Sequence, residues 1–422
     1  MQPAARLAAA IELLAEIGAG GEAADRVVDR YFRHRRYAGK QDRAAIAGIV
    51  WHAIRRATSL PWLTGTGAHP APRLAGLAAA VLSGFADAAT VDRWCDGQGH
   101  APAPLSYEER AALARLGEDR VPPDWVQGDY PESLGPLLLR RFGARLPTVM
   151  AAMAGRAPLD LRVNRLKAGR EAVLDELRGL GLQVEGCALS PVGIRVAGRE
   201  RLGPLAPFAE GRVEVQDEGS QLVALACAAA PGQAVADFCA GAGGKTLALA
   251  AEMQGRGRLL ALDIDAFRLK RMEPRLTRAG IDQFVERAAL DPDLLAREAG
   301  AFDAVLVDAP CSLSGTWRRN PLARQQATPE RVAELAALQG RILDQAAGLV
   351  KPGGRLVYAT CSVFVEEDED VVAGFLGRRG DFAAADHAAL FPGLAGGPLG
   401  LALDPAAQGT DGFFLAVMMR AA

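Results

Sequence analysis

The chain has 422 residues, half of them hydrophobic, with 48 Lys and Arg against 50 Asp and Glu for a formal charge of −2. That length supports two or three domains with ample cores, and the apolar runs are interrupted before the roughly 20 residues a membrane span needs. Cys95, Cys187, Cys227, Cys239, Cys311 and Cys361 form no CxxC pair, which argues against a zinc knuckle or a disulfide framework and predicts reduced thiols.

The opening MQPAARLAAA leads into an amphipathic pattern with Glu12 and Glu16, unlike a secretory or transit peptide, so a cytoplasmic location is expected. Residues 1 to about 145 read as a helical bundle, with apolar positions three and four apart, as in Leu7, Ile11, Leu14, Ile17 and in Ile46, Ile49, Val50, Ile54. Within it, Arg33, Arg35, Arg36, Lys40, Arg43, Arg55 and Arg56 face only Asp42, seven minus one or +6 locally. Such a cluster suits a phosphate backbone, and a solvated helical face is the alternative. Residues 146 to about 158 read as a linker. From Leu159, short β-like runs (LRVNRL, GIRVA, VEVQD) surround one helix, REAVLDELRGLGL, giving a small α+β subdomain over 159–221.

Residues 222–422 alternate strands and helices: AVADFCA, TLALAAEM, RLLALDI, FRLKRMEPRLTRAG with an awkward Pro274, FDAVLVDAP, PERVAELAALQGRILDQAAGLV, RLVYATC and VEEDEDVVAGFLGRR. Near-continuous apolar strands separated by helices predict a doubly wound α/β domain with a parallel sheet. DGFFLAVMMR is expected to add an antiparallel strand at the sheet edge.

The segment Asp237 to Thr246, DFCAGAGGKT, follows the first of these strands and opens its helix. Gly241, Gly243 and Gly244 let a ligand approach the backbone at a helix N-terminus; the spacing is neither a P-loop nor GxGxxG. Asp263, 26 residues after Asp237 at the end of the next strand, stands where doubly wound folds grip ribose hydroxyls. Asp308-Ala-Pro-Cys311-Ser312 and Thr360-Cys361-Ser362 end two further strands, so an acid and two cysteines are predicted to converge on one crevice. Cys95, Cys187 and Cys227 are assigned to packing. The run Glu366 to Asp370 is read as first-turn acids favouring a helix dipole rather than as metal ligands.

DFCAGAGGKT, LDID, FDAVLVDAPCSLSGTWRRNP, LQGRIL, GGRLVYATCSVFVEEDE and DGFF together resemble the RNA cytosine-C5 methyltransferases of the Sun/RsmB and Nop2/NSUN superfamily. LRVNRLK and VEVQDEGSQL resemble the subdomain preceding that core, and YFRHRRYAGKQDRAAIAGIVWHAIRR resembles the NusB-like RNA-binding domain of the bacterial small-subunit rRNA branch. The resemblance implies a Rossmann-like class I methyltransferase core and S-adenosyl-L-methionine as cofactor. Cys239, Ala240, Gly241, Ala242, Gly243, Gly244 and Lys245 would surround its methionine part, Asp263 its ribose, Asp291 its adenine, with Asp308 nearby. It further implies Cys361 as nucleophile and Cys311 as the residue assisting release, the reverse of DNA cytosine methyltransferases. The expected partner is 16S rRNA or a partly assembled small subunit, with no metal, no membrane and a monomeric chain. Ala242 stands where the family frequently has Pro, and Leu322 where it frequently has Asp.

These residue types suit the reaction. Thiolate addition at C6 of cytosine, with an acid such as Asp308 on N3, makes C5 able to attack a sulfonium methyl. A second thiol could then help as the C5 proton and the enzyme leave. The target base must be unstacked, which suits single-stranded or loop RNA. Rival readings are an RNA-binding ribosome-assembly factor with a decayed site, against which the intact Cys311, Cys361 and Asp308 argue, and a cytosine methyltransferase acting on tRNA or DNA.

Overall fold

The computed structural model describes residues 1–20, 22–67, 69–198 and 202–422. Two compact units emerge: Met1–Gly135 with Arg324–Gln326, and Pro136–Ala323 with Ala327–Ala422.

The first unit is helical. Its central helices, Pro3–Gly18, Lys40–Arg55 and Pro72–Leu82, pack through Leu7, Leu14, Ile46, Ile49, Val50 and Leu77, the residues whose three- and four-residue spacing marks a single apolar face. Ser106 and Glu109 form a reciprocal capping box at the start of Tyr107–Arg115. The basic cluster is less free than its composition suggests. Arg35 pairs with Glu12 and covers the Tyr31 ring, Arg43 bonds Ala38 O, and Asp42 is buried beneath Arg6, while Arg33, Arg36 and Lys40 remain exposed.

Helix Gly135–Phe142 falls within the stretch read as helical, but Leu146–Ala154 is also an α-helix where a linker was expected. Pro147 sits in the first turn of the latter, where its missing N–H costs nothing, and Leu146, Val149, Met150 and Met153 give it a buried face. Strands β1 (Leu159–Val163), β2 (Val184–Gly186), β3 (Gly193–Val196) and β4 (Val213–Val215) make an antiparallel sheet in the order β2-β3-β1-β4. Helix Arg170–Gly179 covers it through Val173, Leu174 and Leu177.

The main sheet comprises β5 (Ala234–Asp237), β6 (Arg258–Asp263), β7 (Val285–Ala289), β8 (Phe302–Asp308), β9 (Val350–Thr360), β10 (Phe382–Ala384), β11 (Leu401–Leu403) and β12 (Phe413–Arg420). Its order is β10-β12-β9-β8-β5-β6-β7, with β11 pairing β12; β9, β8, β5, β6 and β7 are parallel. Alternate residues enter opposite layers: Val235, Ala261, Leu306 and Val357 one, Ala236, Leu262, Val305 and Tyr358 the other. Two covered faces explain the unbroken apolar strands. This is the Rossmann-like arrangement expected of a class I methyltransferase.

Three details differ from expectation. Strand β12 does not form the edge, because the three-residue β10 pairs outside it. The helix around Pro274 is two, Ala266–Lys270 and Glu273–Ala279, with the proline in the first turn of the second, since within a continuous helix it would break a backbone bond and clash. The acidic run after Ser362 is a first helical turn only in part: Glu369 and Asp370 open the helix, while Glu367 and Asp368 are wholly buried before it. Among the described residues no helix is long and apolar enough to cross a membrane.

Candidate active site

Strands β5 and β8 are parallel neighbours from which the chain departs in opposite directions, to β6 on one side and β9 on the other. That switch point opens a crevice at the strands' carboxyl ends. A cavity of about 850 Å³ lies there, and it receives the segments singled out from sequence. After β5 the chain turns through Cys239–Gly244 into helix Gly244–Glu252. Gly243 has φ +85°, and a Cβ on it would stand 2.3 Å from Met272 Cγ, so this position needs glycine for its turn and packing. Asp263, at the end of β6, accepts from Gly241 N at 2.8 Å and Asp265 N at 2.9 Å, tying the loop to the acid.

Lys245 Nζ lies 2.6 Å from Asp308 Oδ2. Burial works against the ammonium, but Asp308, and more weakly Cys361, outweigh it and hold the Lys245 pKa above its ordinary value. Asp308, the acid expected at N3, is thus one half of an ion pair with Lys245. Asp237 is fully buried; its Oδ2 accepts from Thr246 Oγ1, its Oδ1 has no hydrogen-bond partner, and burial foremost, with Asp308 adding, pushes its pKa up to about 7.

Cys311 and Cys361 arrive from adjacent strands, with Asp308 of β8 in register with Ala359 of β9, and their Sγ atoms are 3.4 Å apart. The contact with Cys361, then burial, then the charges of Cys361 and Glu367 raise the Cys311 pKa well above that of a free thiol. The loop after Cys311 is strained at Leu313, a non-glycine residue at φ +60°, and seated closely: a Cβ on Gly315 would come within 2.0 Å of Gly412 O.

Of the residues picked from sequence, Cys239, Ala240, Gly241, Ala242, Gly244, Lys245, Asp263, Asp291, Asp308, Cys311 and Cys361 all line the cavity; Gly243 does not, acting through its turn. Asp291 spends one oxygen capping helix Pro292–Arg297 at Leu294 N. Cys95, Cys187 and Cys227 are buried elsewhere, their pKa values raised by burial. Sequence reasoning missed the contribution of helix Pro329–Ala347, which contains LQGRIL and brings Leu338, Arg341, Ile342 and Gln345 to the cavity. It also missed Arg141, whose guanidinium binds Val363 O, Asp368 and Glu369 behind the Cys361 loop. The signal for Arg141 was only two adjacent arginines at a helix end.

Residues 224–419 match the family 16S rRNA methyltransferase RsmB/F, and residues 130–201 match the ferredoxin-like domain of RsmF/B-like methyltransferases. Ribosomal RNA small subunit methyltransferase B of Pseudomonas syringae pv. tomato is 35% identical over 317 residues, 74% of this chain and 69% of that protein. The chain belongs to the RsmB/F methyltransferase family. The Xanthomonas campestris pv. campestris protein of the same name is 31% identical over 90% of both chains. The crystal structure of PH0851 aligns over 99% of both chains with a TM-score of 0.79 and 25% identity.

RsmB/F methyltransferases use S-adenosylmethionine, and the cavity fits it. Backbone N–H groups around Gly241 to Lys245 open a helix, the Asp263 carboxylate suits vicinal hydroxyls, and Ile264, Leu290, Pro292 and Leu295 offer apolar walls for a purine.

Proposed function

We propose that this RsmB/F chain methylates C5 of a cytosine in 16S rRNA, with Cys361 as the nucleophile and Cys311 assisting release. The observation that carries this reading is the pair of thiols 3.4 Å apart, lining one cavity with the Lys245–Asp308 ion pair. Cys239 to Ala242, Gly244, Lys245, Asp263 and Asp291 would hold S-adenosylmethionine, which when bound would supply an electrophilic methyl group.

Cys361 adds to C6 of the base, and C5 gains enamine character. The Lys245–Asp308 pair presents both a donor and an acceptor to the N3 and N4 edge, so the electron density pushed into the ring at C6 has somewhere to rest. Once C5 is methylated, its proton must leave before the bond from Cys361 to C6 can break. That proton passes to solvent, the C5–H electron pair left behind expels Cys361 from C6, and Cys311, a thiol with a raised pKa touching Cys361, is placed to protonate the departing sulfur. The exposed Arg33, Arg36 and Lys40 of the helical region over 1–145 would meet RNA phosphates, the α+β part over 159–221 comes next in the chain, and 222–422 would carry the chemistry. We take the enzyme to act in the cytoplasm, as a monomer.

The test is bisulfite sequencing of 16S rRNA from cells with and without the gene, complemented by the wild-type chain and by Cys361→Ala. The expected result is one cytosine that resists conversion only when the wild-type chain is present. Identical conversion in all strains would refute the reading.

A further inference from the structure

Glu367 is wholly buried in the turn between β9 and helix Glu369–Arg378, and both of its oxygens are used twice. Oε1 accepts from Ser312 N and Gln339 Nε2, each at 2.9 Å. Oε2 accepts from Ser312 Oγ at 2.5 Å and Ser362 Oγ at 2.6 Å. Four donors fill a carboxylate's acceptor capacity, which is what a buried charge requires. Ser312 directly follows Cys311, and Ser362 directly follows Cys361. One side chain thus clamps the two cysteine-bearing loops to each other.

Other contacts follow the same plan. Ser314 Oγ bonds Val363 N at 2.9 Å and approaches Ser362 Oγ at 3.1 Å, and Gly315 N donates to Cys361 O at 2.9 Å. Asp368 accepts from Thr360 Oγ1 at 2.6 Å and from Arg141 at 2.7 Å, pinning the residue on the other side of Cys361. Strand pairing of β8 with β9 ends at Asp308 and Ala359, before either thiol. Beyond that point, the separation of the thiols depends on these cross-links, of which Glu367 makes the most.

We propose that Glu367 is a positioning residue for methyl transfer: through Ser312 and Ser362 it fixes the spacing of the Cys311 and Cys361 thiols so that both reach one base. The inference rests on the two-cysteine reading above. Its charge has a second effect, since Glu367 is among the groups that raise the Cys311 pKa and so keep that thiol protonated. Reach and charge are separable by substitution. Glu367→Gln keeps the size but turns one acceptor into a donor and removes the charge. Glu367→Asp keeps the charge but falls one methylene short.

The experiment uses the full-length protein with two independent readouts. The first is steady-state methyl incorporation into 16S rRNA, giving kcat and KM. The second, without RNA or cofactor, is the pH dependence of iodoacetamide alkylation at Cys311 and Cys361, located by peptide mass spectrometry. Glu367→Gln is expected to lower kcat about 100-fold with KM within about twofold, and to move Cys311 alkylation to lower pH. Glu367→Asp is expected to restore the Cys311 pH midpoint but not kcat. Wild-type kcat in Glu367→Gln, unchanged thiol alkylation in that variant, or full kcat in Glu367→Asp would overturn the proposal. If Glu367→Gln does not fold, Ser362→Ala decides, because it removes one donor and leaves the carboxylate. It should lose about tenfold in kcat at constant KM, and unchanged kcat overturns the clamp. Shifted alkylation in an enzyme whose wild type methylates no RNA would sink the functional reading and uphold the clamp. Unchanged alkylation beside an active wild type would sink the clamp alone.

Discussion

Cys311 and Cys361 touch sulfur to sulfur at 3.4 Å, though 50 residues separate them in the chain. Their surroundings differ: the charges of Cys361 and Lys245 act on each other, while the charge of Glu367 acts on Cys311.

Cys361→Ala should lower methyl incorporation by about three orders of magnitude or more, because it removes the attacking atom. Cofactor affinity should change less than about twofold, since no bond ties Cys361 to the loop over 239–245. Tritiated methyl transfer and calorimetric binding of S-adenosylmethionine check the two halves separately. Substantial residual transfer would move the nucleophile to Cys311.

Cys311→Ala should still attack and methylate but release slowly, so covalent RNA adducts should accumulate. A denaturing gel after incubation with RNA and S-adenosylmethionine should show a slow band that survives SDS and disappears with nuclease. A band in Cys361→Ala and none in Cys311→Ala would reverse the assignment.

Replacing Arg33, Arg36 and Lys40 with Ala should weaken RNA binding and flatten its salt dependence, by about 0.7 to 0.9 in slope for each phosphate no longer neutralised. These three are the exposed members of the cluster; Arg35 and Arg43 already hold Glu12 and Ala38 O, so their removal would confound binding with folding. Filter binding at several salt concentrations measures it, and an unchanged slope would leave the cluster a solvated face.

Asp237 carries a pH signature. Its folded pKa is about 7 against 3.8 for a free side chain, so between those values the folded state holds a proton that the unfolded chain has released. Its contribution is complete below pH 4 and disappears as the pH rises through 7. Asp237→Asn, permanently neutral, should therefore gain on the wild type as the pH is raised from 5 to 8. Thermal melts across that range test this, and a constant gap between the two proteins would refute it.

The parallel sheet was legible because its strands are covered on both faces, so that AVAD, RLLALD and FDAVLVD read as unbroken apolar runs. Strand β7, with Glu286 and Arg287 exposed on an edge, carries no such run, and β10 is too short to register. The glycine loop and the cysteine-bearing strand ends were visible as local patterns with local chemistry. Glu367 was not, because what distinguishes it from Glu366 is burial, and burial depends on donors from Ser312 and Gln339 elsewhere in the chain. The same holds for Arg141, whose partners lie more than 220 residues away.

The contact of Gly315 with Gly412 sets an order of events during biosynthesis. Gly412 N donates to Gly315 O, and neither position has room for a side chain. The stretch that seats the Cys311 loop is thus translated almost 100 residues after the loop itself, and β12 must then insert between β9 and β10. Until Gly412 has emerged, the Gly315 turn of the Cys311 loop lacks the backbone donor that seats it, so this wall of the cavity is finished only when the final strand arrives.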